Sequence, residues 1–97
     1  MAGVTLTVLL RVPLAGVAEF QAYEALVLPL VGAHGGAVQR RLRNADGTVE
    51  CHVVWFPSHA AFESFRNDPR RAAAAPRLAA SGAKAELFDM TDVEPIS

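Results

Sequence analysis

Apolar and polar positions alternate along Val4–Val12, a stretch of β-branched and aliphatic residues that Pro13 closes. Because successive side chains of a strand point to opposite faces, this stretch predicts a β-strand. One face carries Val4, Leu6, Val8 and Leu10, and the other carries Thr5, Thr7 and Leu9. The second face is apolar enough to favour contact with another surface.

A helical spacing follows, from Val17 to about Val31. Apolar side chains recur there every three or four positions, which predicts one apolar helix face. They are Val17, Phe20, Tyr23, Val27 and Leu30. Glu19 and Glu24 are expected to lie away from most of that face. Pro29 lacks a backbone donor and should kink or loosen the last turn, so we expect the helix to end near Gly32.

The next segment predicts a β-hairpin. Ala37–Arg43 has the pattern of a weaker strand, and Thr48–Phe56 is rich in Val and aromatic residues, as the return strand would be. Between them, Asp46-Gly47 favours a turn with positive φ angles. Pro57 then ends the return strand, and Ser58 can cap a short helix that reaches Phe65.

A second helix start follows at Asp68 and Pro69, with Asp68 as the cap. Arg70–Ala80 is alanine-rich and helical by propensity, and Pro76 is expected to interrupt it. Ala83–Val93 predicts the last strand. The order is therefore β-α-β-β-α-β over one domain, residues 1–97. That order predicts an α+β fold in which a four-stranded antiparallel sheet carries its helices on one face.

Charge narrows the range of functions. The 97 residues include nine basic and ten acidic side chains, for a net charge of −1, which argues against a general nucleic-acid or membrane binder. RNA-recognition domains share the β-α-β-β-α-β order. Thr48–Phe56, however, has aromatic residues only at its end and no basic residue. No apolar stretch reaches the roughly 18 residues that a membrane span needs.

Cysteine and N-terminal composition bear on the compartment. Cys51 is the only cysteine, so an intrachain disulfide and a cysteine-rich metal site are excluded. The first residues lead directly into the Val4 strand, without a basic or a long apolar leader. We therefore expect a cytoplasmic protein.

The turn His34-Gly35-Gly36 and the junction Phe56-Pro57-Ser58 carry a family resemblance. Over Val4 to Val93, the chain resembles the small dimeric α/β-barrel proteins with a ferredoxin-like fold, in a branch of unknown function related to the antibiotic-biosynthesis monooxygenase-like superfamily. That superfamily includes cofactor-independent monooxygenases of polyketide biosynthesis, haem-degrading enzymes and proteins without known activity. The resemblance implies the fold and a homodimer that pairs through the open sheet face, rather than a particular reaction.

His34 and His52 are the candidate catalytic residues. His34 precedes two glycines and could act as a base at a pocket edge, or simply interact with a helix C-terminus. His52 shares a strand face with Glu50, which could raise the pKa of the imidazole, or the two could form a surface pair. His59, in the first turn of its helix, is expected to be exposed.

The candidate ligand-binding residues are Tyr23, Val27, Arg40, Glu50, Trp55 and Phe56. Tyr23 could be a buried hydroxyl or a pocket donor, and Trp55 and Phe56 should face opposite sides of the sheet. Arg40 and its neighbouring arginines could hold an acidic ligand, pair with the acidic tail or protect an edge strand from aggregation.

The expected pocket lies between sheet and helices, where Tyr23, Val27, His34, His52 and one of Trp55 and Phe56 would line it. Two interpretations of function stay open. One is a homodimeric enzyme, monooxygenase-like or isomerase-like, acting without a cofactor on a small hydrophobic or aromatic molecule. The other is a non-catalytic binding or assembly module. The histidines lack metal-site spacing, and no phosphate-binding loop is present, so neither a metal nor a cofactor is expected.

Overall fold

The computed structural model describes residues 3–94, so Met1 and Ala2, with which the segment expected to contain no leader begins, lie outside the described residues. Four strands are formed: β1 (Val4–Arg11), β2 (Ala37–Arg43), β3 (Val49–Phe56) and β4 (Lys84–Met90). Four helices accompany them: α1 (Val17–Val27), α2 (Pro29–Ala33), α3 (His59–Arg66) and α4 (Pro69–Ser81).

The strands form one antiparallel sheet in the order β2-β3-β1-β4. Leu6 of β1 and Phe56 of β3 pack against Val31 and Phe62 of the helical layer, so the helices cover one face. This arrangement confirms the predicted ferredoxin-like α+β fold. The first predicted helical region is divided in two, because Pro29 begins α2 directly after α1. The predicted second helix start is confirmed, with Asp68 as the cap and Pro69 as the first residue of α4.

Local chemistry accounts for the helix boundaries. Ser58 accepts a hydrogen bond from the backbone N–H of Ala61 at 3.0 Å and caps α3. Asp68 accepts from the backbone N–H of Arg70 at 2.8 Å and caps α4, with Pro69 in the first turn. Gly82 ends α4 with φ of 73°, a conformation that favours glycine.

The predicted interruption at Pro76 is wrong, because α4 continues through this residue to Ser81. The proline ring holds φ near its helical value, so the helix loses only one backbone hydrogen bond at this point. Pro76 and Ala72, four positions earlier, are both exposed, so water can replace the lost partner of the Ala72 carbonyl.

We expected no apolar stretch as long as a membrane span, and the helical stretch Leu14–Ala33 corrects this expectation. Its 20 residues have a mean hydropathy of 1.3, so by length and composition they meet the usual minimum for a membrane span. The stretch includes a 3-10 turn and breaks before Pro29. Its buried apolar side chains, among them Phe20 and Val31, pack in the core of the sheet and helices, as those of a core helix do.

The uncovered face of the sheet is the one predicted from the alternation in β1. Thr7 of β1 pairs with Val53 of β3 and with Phe88 of β4, and paired residues share a face. Three large apolar side chains on this face are about half exposed: Leu42 at 48%, Phe88 at 46% and Met90 at 49%. An apolar face of this kind is typical of a surface that is covered in an assembly.

Candidate functional site

A cavity of about 250 Å³ lies between the sheet and the helices. Most of its wall is apolar, including Leu6, Val8, Val27, Val54, Phe56 and Phe62. Polar atoms enter the wall at a few places, chiefly from Tyr23, Glu24, His52 and Arg71. A concave apolar surface with few polar groups is typical of a site for a small molecule.

Glu50 and His52 form the polar cluster on the strand side. They are two positions apart on β3, so their side chains point to the same, helix-covered face. The Nε2 atom of His52 lies 2.8 Å from Oε1 of Glu50, and neither side chain is more than 4% exposed. Arg41 donates to Oε1 of Glu50, and Arg43 donates to Oε2 at 3.0 Å. Glu50 is therefore an ionised carboxylate with both oxygens occupied.

Glu24 of α1 completes this cluster from the helix side. Its side chain is 6% exposed, and Oε2 lies 3.7 Å from Nε2 of His52. The expectation that Glu24 lies away from the apolar helix face is wrong. Glu24 follows Phe20 by four positions and precedes Val27 by three, which places it on the buried face. The same spacing was available in the sequence, but an acidic residue on a core-facing stripe was not expected.

The environment shifts the three titrating groups in different directions. Burial, and then the charge of Glu50, raise the pKa of Glu24 to about 7, although Arg41, Arg43 and Arg71 oppose this. Burial also raises the pKa of Glu50, but hydrogen bonds from His52, Arg41 and Arg43 outweigh it, so the net pKa is lowered. Near neutral pH, Glu24 therefore exchanges its proton while Glu50 stays charged.

The predicted increase in the pKa of His52 is wrong. Burial lowers the pKa of this imidazole, and the hydrogen bond to Glu50, which acts in the opposite direction, is too weak to reverse the effect. The surface-pair alternative is also wrong, because both side chains are buried. His52 is consequently neutral near pH 7. Since Glu50 can only accept, the proton of this neutral ring lies on Nε2.

Three of the other candidate residues contribute to the same cavity. Tyr23, Val27 and Phe56 line it and are each at most 4% exposed. Burial raises the pKa of Tyr23, while the nearby Arg71 guanidinium lowers it by a smaller amount. Trp55 and Phe56 do face opposite sides of the sheet, as predicted, with Phe56 beneath the helices.

His34 lies elsewhere, which corrects the expectation that it lines the pocket. Its Nε2 atom is 2.8 Å from Oδ2 of Asp68, the residue that caps α4, and its ring meets the edge of Phe65. Asp68 is held in addition by the side chain of Arg70. These bonds tie the turn after α2 to the start of α4.

Arg40 and Trp55 lie on the open face of the sheet, away from the cavity. A bulge in β2 shifts the register between Val38 and Arg40, so Arg40 pairs with Val53 on the open face and Arg41 pairs with His52 on the covered face. Of the arginines on β2, Arg41 and Arg43 therefore reach the buried cluster. No sequence signal identifies that bulge.

The cluster also contains donors that a metal ion uses. One ligand atom each from Glu24, Glu50 and His52 lies within 4.8 Å of the others, although sequence spacing indicated no metal site. Arg41 and Arg43, however, already occupy both oxygens of Glu50, and their positive charges oppose a cation. The arrangement is better suited to holding and transferring a proton than to binding a metal.

Comparison with solved structures identifies the fold. SnoaB, a cofactor-independent oxygenase from Streptomyces nogalater, aligns with a TM-score of 0.72 and 24% identity over 99% of this chain and 100% of its own. A Caulobacter crescentus protein, provisionally ascribed to antibiotic biosynthesis monooxygenases, aligns with a TM-score of 0.73 and 19% identity over 93% of this chain and 91% of its own. This chain has their ferredoxin-like fold. Rv0793 from Mycobacterium tuberculosis, at 16% identity and a TM-score of 0.66, covers 96% of this chain and 99% of its own.

No family model matches the chain, and no curated protein sequence matches it significantly. The ferredoxin-like fold accounts for the position of the cavity, because the helices cross one face of the sheet and leave space above β1 and β3. It does not by itself determine a reaction. The buried cluster is the part of the cavity wall that has groups capable of chemistry.

Proposed function

We propose that this protein is a homodimeric, single-domain, cofactor-independent enzyme, monooxygenase-like or isomerase-like, that acts on a small hydrophobic or aromatic molecule. One observation carries the proposal: a buried neutral histidine, His52, lies between two buried carboxylates at the wall of an apolar cavity. Burial of three titratable groups has a cost in free energy, which favours a functional role for the cluster.

The cavity supports the proposed substrate class. Its volume of about 250 Å³ is slightly below the range of pockets for drug-sized ligands, which favours a molecule of one or two rings. Phe56, Phe62 and Phe65 supply aromatic surfaces against which a planar ring could pack.

A base is needed in either reaction class, and His52 is our candidate. With its proton on Nε2 and directed to Glu50, the neutral ring would accept a proton at Nδ1, which forms no hydrogen bond within residues 3–94. An isomerase-like reaction would return that proton to another atom of the substrate. A monooxygenase-like reaction would consume dioxygen, convert a methylene to a carbonyl and release the second oxygen atom as water. The likeness of the fold to SnoaB supports the second class.

The homodimer would form through the open sheet face. Leu42, Phe88 and Met90 leave apolar surface exposed there, and a second copy of the chain would cover it with the same residues. We also propose a cytoplasmic location, because the single cysteine, Cys51, gives no sign of an oxidising compartment.

A non-catalytic ligand-binding or assembly module is the second candidate. It is favoured by the charge pairing of Glu50, whose two arginines and histidine leave the carboxylate fully satisfied, as in a structural ion cluster. In that case the cavity would bind a ligand without converting it.

Binding and turnover separate the two candidates. Addition of α-naphthol or β-tetralone should raise the melting temperature of the protein, because a ligand that binds only the folded state stabilises it. Turnover of the bound molecule should disappear in His52→Ala and persist in His59→Ala, whose side chain is 69% exposed. Failure of both probes to raise the melting temperature would contradict the pocket, and undiminished turnover in His52→Ala would contradict the base.

A further inference from the structure

Glu24 is the carboxyl group that lines the cavity, and it forms no hydrogen bond with another side chain of residues 3–94; Arg71, which also lines the cavity, has a buried Nε without a partner. The side chain of Glu24 is only 6% exposed. Within residues 3–94, its contact with His52 spans 3.7 Å, which is too long for a hydrogen bond. A buried carboxyl group without a partner is costly, and a ligand that bonds to it would recover that cost.

Near Nε2 of His52, the neighbouring groups are already engaged in hydrogen bonds. Both oxygens of Glu50 accept from Arg41, Arg43 or His52, so Glu50 has little capacity left. The Nε2 proton of His52 is directed to Glu50. Oxygens of Glu50 and Glu24 both approach Nε2 of His52. Of these, the Glu24 oxygens therefore remain free to bind a ligand.

We propose that Glu24 is a catalytic residue that takes a proton directly from an acidic C–H or O–H group of the bound ligand, such as an enolisable ketone or a phenol. This inference rests on the proposed function and deepens it, because it adds a second proton acceptor, Glu24, to the one that we propose at Nδ1 of His52. In the step, the bond to hydrogen breaks, its electron pair stays on the ligand as an enolate or phenolate, and the proton joins a Glu24 oxygen. The reverse step returns the proton, so no oxidant is required.

The titration of Glu24 suits this role. A pKa of about 7 keeps part of the population ionised at neutral pH and makes the protonated form a competent acid. The groups that face Glu24 act in both directions: Glu50 raises its pKa, and Arg41, Arg43 and Arg71 lower it. Tyr23 and His52 lie beside it.

Hydrogen–deuterium exchange on β-tetralone tests the proposal without requiring oxidation. The bicyclic ketone is incubated in heavy water with the full chain, and loss of its α-protons is followed by NMR, while binding is measured separately by thermal shift. Glu24→Gln keeps the shape but removes the base, so exchange should fall by about 100-fold while binding persists. Glu19→Gln is the matched control, since Glu19 lies on α1 with a side chain 48% exposed. Its exchange rate should equal that of the unaltered protein.

The outcomes distinguish the two claims. A rate that rises through neutral pH in the unaltered protein and becomes flat in Glu24→Gln supports the proposal, and a merely structural Glu24 would not produce this change. Full exchange in Glu24→Gln together with loss of exchange in His52→Gln overturns the role of Glu24 and leaves the proposed function intact. Binding without exchange in the unaltered protein also overturns it, in favour of a binding module. Absence of binding overturns the pocket itself.

Discussion

Nε2 of His52 and Oε1 of Glu50 lie 2.8 Å apart in the interior of the protein, on side chains that are 4% and 0% exposed. The two residues are two positions apart on β3, so their side chains point to the same face of the sheet. Arg41 and Arg43 of the neighbouring strand β2 hold Glu50 in place. Glu50 therefore controls the orientation of His52, and its replacement should affect both stability and the site.

Replacement of Glu50 by Ala should lower the free energy of unfolding by about 3 kcal/mol, because it leaves the two arginines and the buried His52 without their acceptor. Urea unfolding of both proteins measures this difference. Glu86→Ala is the control, since it removes an ion pair with Arg11 whose side chains are 65% and 55% exposed. That control should change stability by less than about 1 kcal/mol. Equal losses in the two variants would contradict the importance of the buried cluster.

Stability should depend on pH through Glu24. The ordinary pKa of glutamate, 4.5, applies to Glu24 in the unfolded chain, and its pKa in the folded protein is about 7. Between these pH values, the folded state therefore holds a proton that the unfolded state releases. The free energy of unfolding therefore falls as pH rises through this range, by about 3 kcal/mol for this one group. His52, whose pKa is lowered, acts in the opposite direction below its ordinary value of 6.5.

The Glu24→Gln variant should lack the Glu24 contribution, because glutamine does not titrate. Urea unfolding of both proteins at about pH 5 and about pH 8 gives the comparison. From about pH 5 to about pH 8, the free energy of unfolding of the variant should rise by about 3 kcal/mol relative to that of the unaltered protein. An identical pH dependence in both proteins would mean that Glu24 titrates normally.

His34 should affect stability without affecting the cavity. His34→Ala removes the 2.8 Å bond to Asp68 and should lower the melting temperature, while α-naphthol binding stays unchanged. Asp68→Ala should lower it further than Ser58→Ala does, because Asp68 also binds Arg70, whereas Ser58 provides a single cap bond worth about 1 kcal/mol. Loss of α-naphthol binding in His34→Ala would instead mean that His34 contributes to the ligand site.

The proposed dimer predicts a variant that dissociates. Phe88→Glu places a charge on the apolar open face, where a second copy would have to bury it, so analytical ultracentrifugation should detect monomers. Leu14→Glu is the control, because Leu14 is 69% exposed and lies in the turn before α1, not in the sheet. A dimer that persists in Phe88→Glu would show that another surface is used.

Much of the fold follows from local signals in the sequence. The alternation in β1, the Asp46-Gly47 turn with φ of 79° at Gly47, and the caps at Ser58 and Asp68 all agree with the structure. Pro76 is the exception, because whether a proline breaks a helix depends on the surroundings of the carbonyl that loses its partner. Those surroundings are set by tertiary packing.

The site was less accessible to sequence reasoning. Placing Glu50 and His52 on one face required only the period of a strand. Placing Arg41 beside Glu50 and Arg40 on the other face depends on the bulge in β2, which has no clear signature in the residues. Glu24 could have been assigned to the buried face from its spacing to Phe20 and Val27, but its contact with His52 depends on how α1 packs against the sheet.

The central claim is that His52 and its buried carboxylates form the polar wall of a small-molecule cavity. Proton–carbon NMR spectra of the imidazole rings during titration with α-naphthol test this most directly, since the chain has three histidines and His52 is the one that lines the cavity. The ring signals of His52 should shift in proportion to the bound fraction and by more than those of His34 and His59, which meet the cavity only through Phe65 and Phe62. Shifts at His34 or His59 with none at His52 would contradict the account.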